Sequence, residues 1–270
     1  GSDTVYPDYY RRGRTSGMAR EPSFEVTLTE DTEPGEKLLL GMAGVGVAGL
    51  TATDDLVTHS ETTQIGHATT QNLPDITPFT EGTPRHPIRL YSATGSDITV
   101  LISEVFLPVW VADPLADALL DWTARNGIGE ITVLHGAPFP HSEEEHLVFH
   151  VSTADYRAEH FPDGETAIDP LAGGFFDGVI SELLVRSLGD NAPPTGVLIT
   201  PTHLPGPDLD AALRLLDALE PTYGIEVDEG ELQDRADEMR EYYDELVQRM
   251  QALQDTARED QEYPGDRMYM

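Results

Sequence analysis

Short apolar runs of strand length alternate with helical patterns through most of this chain, and this alternation is the strongest constraint on its fold. Each run either alternates apolar and polar residues or is continuously apolar before a glycine or another turn residue. The segments predicted as strands are Phe24–Leu28, Lys37–Leu40, Gln64–Thr69, Ile88–Ala93, Ile98–Glu104, Glu130–Leu134, Leu147–Val151 and Gly196–Thr200.

The helices between these strands are predicted from their end signals. One begins at Asp113-Pro114, with a capping residue and an early proline, and ends at Gly127. The others cover Phe175–Leu188 and the residues from Asp208 to Leu219. Because strands and helices alternate, we expect an α/β fold with a mixed, mainly parallel sheet that helices cover on both faces.

The chain divides into four predicted regions. Residues 1–22 hold four of the sixteen basic residues and begin Gly1-Ser2, which is typical of a flexible arm or an expression tag. Residues 23–228 form the α/β domain. Residues 229–260 form a long helix and residues 261–270 a free tail, because Pro264-Gly265 ends any helix before it.

The long helix carries a heptad pattern. Its apolar positions follow steps of four and three residues, which is the 3.5-residue period of a coiled coil. We expect it to be an oligomerisation element, so that the protein is a homo-oligomer; the alternative is a helix that lies on its own α/β body. The heptad positions are Leu232, Ala236, Met239, Tyr243, Leu246, Met250, Leu253 and Ala257.

The charge balance excludes several classes of partner. There are 16 basic and 49 acidic residues, for a formal net charge of −33, and Lys37 is the only lysine. Such a field repels nucleic acids and anionic membrane surfaces, so neither is an expected partner. An acidic surface almost without lysine is typical of a protein from a salty cytoplasm, and the alternative is an acidic protein from an ordinary one.

The chain has no cysteine, which excludes disulfides, thiolate metal sites and cysteine nucleophiles. It also has no apolar run of the length that spans a bilayer and no apolar signal peptide. We therefore expect a cytoplasmic protein.

A glycine-rich turn after the first buried strand is a possible ligand turn. Gly44, Gly46 and Gly49 have the dinucleotide-binding spacing, and amides at a helix N-terminus suit an anion. However, no acid stands about twenty residues later, where Thr69, Thr70 and Gln71 are found instead. The alternative is that these glycines let the helix pack closely on the sheet.

Neither metal binding nor nucleophilic catalysis is predicted, and no cofactor is expected. Histidines 135, 141, 146 and 150 lie close in sequence but lack helical chelate spacing. No serine has a Gly-x-Ser-x-Gly setting. We therefore expect a protein that is not an enzyme.

The last three residues form a compact candidate ligand for a partner. Met268, Tyr269 and Met270 give an apolar anchor, a phenol and a carboxylate, which a pocket with a cation or a nest of amides captures. The alternative is a frayed end without a partner.

Several segments, in order, resemble the archaeal proteasome assembly chaperone family. They are Lys37-Leu38-Leu39-Leu40-Gly41-Met42-Ala43-Gly44-Val45-Gly46, Pro87-Ile88-Arg89-Leu90-Tyr91, Asp121-Trp122, Glu130-Ile131-Thr132-Val133-Leu134-His135-Gly136, Gly173-Gly174-Phe175-Phe176-Asp177-Gly178, Pro205-Gly206-Pro207-Asp208 and Gly224-Ile225-Glu226-Val227-Asp228.

The resemblance implies an architecture related to nucleoside phosphorylases, without an established active site. It also implies a partner, the proteasome core particle, on whose α-ring the hydrophobic-tyrosine-any tripeptide Met268-Tyr269-Met270 would dock. One departure is Met42-Ala43-Gly44, where relatives often have apolar-Pro-Gly. We expect an assembly chaperone or an ATP-independent activator; the alternative is a small-molecule or nucleotide-binding enzyme that uses the glycine-rich turn.

The first prediction concerns salt. Because so many acids repel one another, the melting temperature should fall when ionic strength is lowered from molar to about 0.1 M, where screening acts only beyond about 10 Å. Thermal melts across a KCl series measure this. A melting temperature that does not rise with salt would remove the halophilic interpretation.

Overall fold

The computed structural model describes residues 21–139, 142, 146–162, 168–189, 192–203, 206–225 and 227–238. Within them, nine strands form one sheet, and β4 and β5 form a separate hairpin. The strands are β1 Ser23–Leu28, β2 Lys37–Met42, β3 Thr62–Gln71, β4 Phe79–Thr80, β5 Thr83–Pro84, β6 Ile88–Ala93, β7 Ile98–Ser103, β8 Glu130–Ala137, β9 Phe149–Ser152, β10 Asp169–Pro170 and β11 Thr195–Pro201.

The helices connect these strands across both faces of the sheet. They are α1 Ala48–His59, α2 Ala112–Asn126, α3 Ala154–His160, α4 Gly178–Ser187, α5 Leu209–Asp217 and α6 Leu219–Tyr223, with 3₁₀ turns at Val45–Val47 and Val109–Val111. Residues 230–238 are helical as well. In the part of the chain described, no helix is both long and apolar enough to cross a bilayer.

The strand order is β1-β3-β6-β7-β2-β8-β11-β9-β10. The four central strands, β7, β2, β8 and β11, run parallel. Antiparallel pairs flank them on both sides, through β6, β3 and β1 on one side and β9 on the other. The expected α/β fold with a mixed sheet is confirmed, but parallel pairing dominates only at the centre.

The central strand β2 divides the apolar interior into two cores. Leu38 and Leu40 face α2 and α4, whereas Leu39 faces α1 and α5. All three side chains are almost fully buried. Successive side chains of a strand point to opposite faces, so a continuously apolar run is what a doubly covered strand requires.

The helix ends agree in part with the predicted signals. Gly127 ends α2 with φ 67°, and its N–H bonds the Thr123 carbonyl. The Asp208 carboxylate accepts a 2.9 Å hydrogen bond from the Ala211 N–H and so caps α5. Three expected boundaries were wrong. Helix α2 begins at Ala112 with Val111 at its N-cap, rather than at Asp113. Helix α4 begins at Gly178 rather than Phe175, and α5 ends at Asp217, after which α6 begins at Leu219.

A buried polar network joins α3 and α6 to the sheet. The Thr132 hydroxyl is 2.7 Å from the Tyr156 hydroxyl and also bonds the Tyr223 hydroxyl. Burial raises the pKa of Tyr156 to about 12, so the phenol stays protonated and available as a donor. Beside it, His160 lies 2.8 Å from Glu130. The network holds the segment that leads into the last helix.

The last helix starts on the α/β body. Leu232 and Ala236 are 0% and 2% exposed and belong to the core that α1 and α5 cover. These two heptad positions are therefore buried within one chain, as in the alternative of a helix on its own body. The remaining heptad positions, Met239 to Ala257, lie outside the described residues, as do residues 1–20 and 239–270.

Candidate functional site

The glycine-rich turn lies at the carboxyl edge of the central strands. Gly46 has φ 70° and sits against Thr202 and Asp208, whose N–H bonds the Gly46 carbonyl at 2.9 Å. A Cβ on Gly49 would lie 2.0 Å from the Leu134 carbonyl oxygen. These contacts explain why positions 46 and 49 are glycine, because α1 packs closely on the sheet there. Gly44 is open, since a Cβ there would meet nothing nearer than the His135 ring and the Met42 carbonyl oxygen, each 4.0 Å away.

The topology around this turn differs from that of a dinucleotide site. In such a site the strand after the first helix returns beside the first strand and carries the acid. Here α1 leads to β3, which lies between β1 and β6, and β2 pairs with β7 and β8 instead. The residues at the expected acidic position, Thr69–Gln71, therefore lie far from the turn in the strand order.

An apolar pocket opens next to the turn. Its floor is a row of side chains across three strands, because His135 of β8 pairs with Ile199 of β11, which pairs with Phe149 of β9. The cavity has a volume of about 840 Å³. Its lining residues are His135, Ala137, Pro138, Phe139, Phe149, Val151, Pro170, Leu171, Ala172, Gly173, Gly174, Phe175, Phe176, Asp177, Ile180 and Ile199.

The roof of this pocket is the loop of residues 171–177, which precedes α4. Phe176 packs edge-on against the His135 ring with centroids 6.0 Å apart, whereas Phe175 is 94% exposed. Gly174 and Gly178 have φ of 152° and 63°, conformations that suit glycine. Gly178 thus ends the loop and explains why the predicted helix does not begin at Phe175.

His135 is the one imidazole among the described lining residues. It is half-buried, and burial lowers its pKa to about 4, although Asp177 opposes the shift. The ring is therefore neutral at physiological pH. No other described residue makes a hydrogen bond with its nitrogens. Perturbed histidines in apolar pockets are typical of ligand sites.

The other histidines of the cluster do not converge on this pocket. His150 is buried, stacks on Phe161 and lies 3.0 Å from the Ser152 hydroxyl. His146 contacts the His203 ring instead. Among the described residues, no three histidine or carboxylate groups are arranged to hold a metal ion.

Charged groups surround the start of the last helix. His59 lies 3.2 Å from both Asp55 on its own helix and Glu231 on the last helix, so it bridges α1 and that helix. The Glu231 hydrogen bond raises the pKa of His59. Burial, with Asp217 and Asp55 nearby, raises the pKa of Glu229 to about 7. The contact of the last helix with the body thus depends on protonation.

Exposed large apolar side chains lie beside the start of α2. Phe106, Val109 and Trp110 are 61–66% exposed, and the 3₁₀ turn that carries two of them packs against α4. Val185 and Leu188, at the end of α4, are exposed too. A cluster of such residues on a soluble protein is typical of an interaction surface.

Sequence reasoning missed the pocket as a unit. It singled out residues 173–178 as a family motif, and the structure places Gly173, Gly174 and Asp177 of that motif in the pocket lining. The phenylalanines come from three separate segments, and only the strand order brings them together. The predicted partner-binding residues Met268, Tyr269 and Met270 lie outside the described residues.

The open mixed sheet, covered by helices on both faces and with a pocket at its carboxyl edge, defines an open-sheet α/β protein. This chain belongs to the PAC2 family, whose profile matches residues 38–247. The family resemblance expected from the sequence motifs is confirmed. None of the curated proteins matches the chain.

Solved structures share the fold. Pyrococcus furiosus PbaA, described as an archaeal homolog of proteasome-assembly chaperone, has a TM-score of 0.70 at 22% identity, over 91% of this chain and 100% of that one. Pyrococcus furiosus PbaB, described as an archaeal proteasome activator, has a TM-score of 0.70 at 16% identity, over 83% and 99%. A Thermoplasma acidophilum protein of unknown function has a TM-score of 0.66 at 24% identity, over 84% and 91%.

The second prediction separates packing from ligand binding at the glycine-rich turn. Gly49→Ala should lower the free energy of unfolding by about 1–3 kcal/mol, because the added methyl group overlaps the Leu134 carbonyl. Gly44→Ala is the matched control and should change it by less than about 0.5 kcal/mol, since its site is open. Denaturant unfolding in molar salt measures both, and equal effects would contradict the packing interpretation.

The third prediction concerns Glu229. Its raised pKa means that the native chain binds a proton more tightly than the unfolded chain, so stability is lost as pH rises from about 4.5 to about 7. Glu229→Gln should therefore raise the melting temperature at about pH 8 and raise it less at about pH 5.5.

The matched control for Glu229→Gln is Glu231→Gln. This variant weakens the bridge to His59 and should not raise the melting temperature at either pH. A gain for Glu229→Gln that is the same at both pH values would show that the carboxyl does not titrate in this range.

Proposed function

We propose that this protein is a homo-oligomeric, non-catalytic partner of the proteasome core particle, acting as an assembly chaperone or an ATP-independent activator. Membership of the PAC2 family and the shared fold of PbaA and PbaB support this proposal. The observation that carries it to a mechanism is the sequence end, Met268-Tyr269-Met270, which has the hydrophobic-tyrosine-any pattern.

The described structure supports separate roles for the body and the extension. Leu232 and Ala236 fix the start of the last helix in the body's core. The sequence continues beyond residue 238 with the rest of the heptad pattern and then the tail. In this proposal the body anchors the last helix, the extension displays the tail, and the last three residues contact the α-ring.

Oligomerisation matters because one three-residue contact is weak. Several tails displayed on one particle raise avidity by about 10²–10⁴ without a new contact, provided that their spacing matches the receiving pockets. Since Leu232 and Ala236 are buried within one chain, the proposed association now rests on Met239 to Ala257 and on the exposed apolar residues around Trp110.

The competing function is a small-molecule or nucleotide-binding enzyme that uses the glycine-rich turn. The packing of Gly46 and Gly49 and the position of β3 count against a dinucleotide there. Titration with ATP and with NAD separates the two functions, because a tight and saturable shift would favour the enzyme.

The fourth prediction tests the tail. Deleting residues 268–270, or Tyr269→Ala alone, should abolish co-sedimentation with the proteasome core particle and leave fold and oligomer unchanged, because the tyrosine ring and hydroxyl would fill a partner pocket. Tyr263→Ala, in the same tail, is the matched control and should still bind. One glycine added after Met270 moves the carboxylate by up to about 3.6 Å and should weaken binding almost as much as deletion.

Two outcomes bear on this mechanism separately. If the truncated chain binds the core particle as well as the full chain, the tail proposal is wrong. If the double variant Leu246→Asp with Met250→Asp keeps its original native mass, association does not use the heptad seam, since buried unpaired charges would disrupt it.

A further inference from the structure

The pocket beside His135 presents one polar ring in otherwise apolar surroundings. The neutral imidazole offers one donor and one acceptor, and no described residue uses either. Both ring nitrogens are thus available to a molecule in the cavity. The polar group therefore marks the point at which a bound molecule would be oriented.

The rest of the lining defines what shape such a molecule has. Phe139 and Phe149 stand edge-to-face with centroids 6.4 Å apart, and Phe176 covers the His135 ring from the roof. Leu171, Ile180 and Ile199 complete the apolar walls. Aromatic walls pack best on a flat ring, which stacks on or meets other rings edge-on.

The charges of the lining exclude one class of ligand. Among the described lining residues there is no lysine or arginine, and Asp177 is the only ionised group. Asp177 stands at the N-cap of α4, and its side chain makes no capping hydrogen bond. An anion would thus meet a negative charge and no cation.

We propose that this pocket binds small, uncharged aromatic molecules that exchange one hydrogen bond with the His135 ring. The cavity of about 840 Å³ is in the usual range for small-molecule sites. The exposed roof loop gives access, since a Cβ on Gly173 or Gly174 would meet nothing within 4 Å. All the described lining residues fall between positions 135 and 199, so the proposal does not rest on the proposed proteasome function.

The test compares indole with indene on the full chain in molar KCl at neutral pH. The two molecules have nearly the same size and shape, but only indole has an N–H group to bond His135. Saturation-transfer NMR detects binding, and calorimetry measures each Kd. Relative to wild type, His135→Phe should reduce the preference for indole over indene, measured as the ratio of their Kd values, about threefold to tenfold. A change of this size corresponds to the loss of one net hydrogen bond.

Two phenylalanine variants keep the test decisive if His135→Phe folds poorly. Phe176→Ala removes part of the roof and should weaken both ligands, whereas Phe106→Ala, an exposed control outside the pocket, should leave both unchanged. Indole-3-acetate, the anionic analogue, should bind more weakly than indole. The chain without residues 268–270 should bind indole as wild type does.

The proposal is overturned by any of three results. These are no saturable binding of either ligand at millimolar concentration, an indole-to-indene ratio that His135→Phe leaves unchanged, or equal losses from Phe176→Ala and Phe106→Ala. A wild-type chain that binds indole but not the proteasome core particle would contradict only the proposed function, and one that binds the core particle but not indole would contradict only this site.

Discussion

The burial of β2 on both faces is the constraint on which the rest of the structure depends. Leu38, Leu39 and Leu40 are at most 1% exposed, so each face of the sheet needs its own helical layer. Because β2 pairs in parallel with both β7 and β8, its neighbours are reached by crossover connections rather than hairpins. The glycine-rich turn, the pocket and the exposed turn around Trp110 all follow parallel strands at the same carboxyl edge. This edge is where open α/β sheets hold their ligands.

Local chemistry predicted the elements better than their arrangement. The six-residue strand β6 and the glycine stop of α2 are recognisable because strand periodicity and a left-handed Gly127 act within a few residues. The predicted helix included Phe175 and Phe176, which instead belong to the loop before α4. Their partners, His135 among them, are about forty positions away, and no local pattern encodes that contact. The hairpin of β4 and β5, the short strand β10 and helix α3 were also missed. Each of them is too short to show a period.

Three of the cations in the described residues make contacts inside the α/β body. Arg89 is 1% exposed and binds Glu104 and the Tyr91 hydroxyl, and Arg214 bonds the Thr200 hydroxyl. Lys37, the only lysine, lies 5.2 Å from the centre of the Tyr223 ring. Since these groups stabilise buried contacts, fewer of them remain to neutralise the acidic surface. The predicted salt dependence therefore follows from where the positive charges lie as much as from how few there are.

The start of the last helix shows how these constraints meet. Apolar burial of Leu232 and Ala236 favours contact with the body, whereas the carboxylates of Asp55, Asp217 and Glu229 oppose it. The His59 bridge to Glu231 and the raised pKa of Glu229 both mean that protons strengthen this contact. Screening by salt weakens the same repulsion without a proton. The contact of the last helix with the body thus responds to both pH and salt.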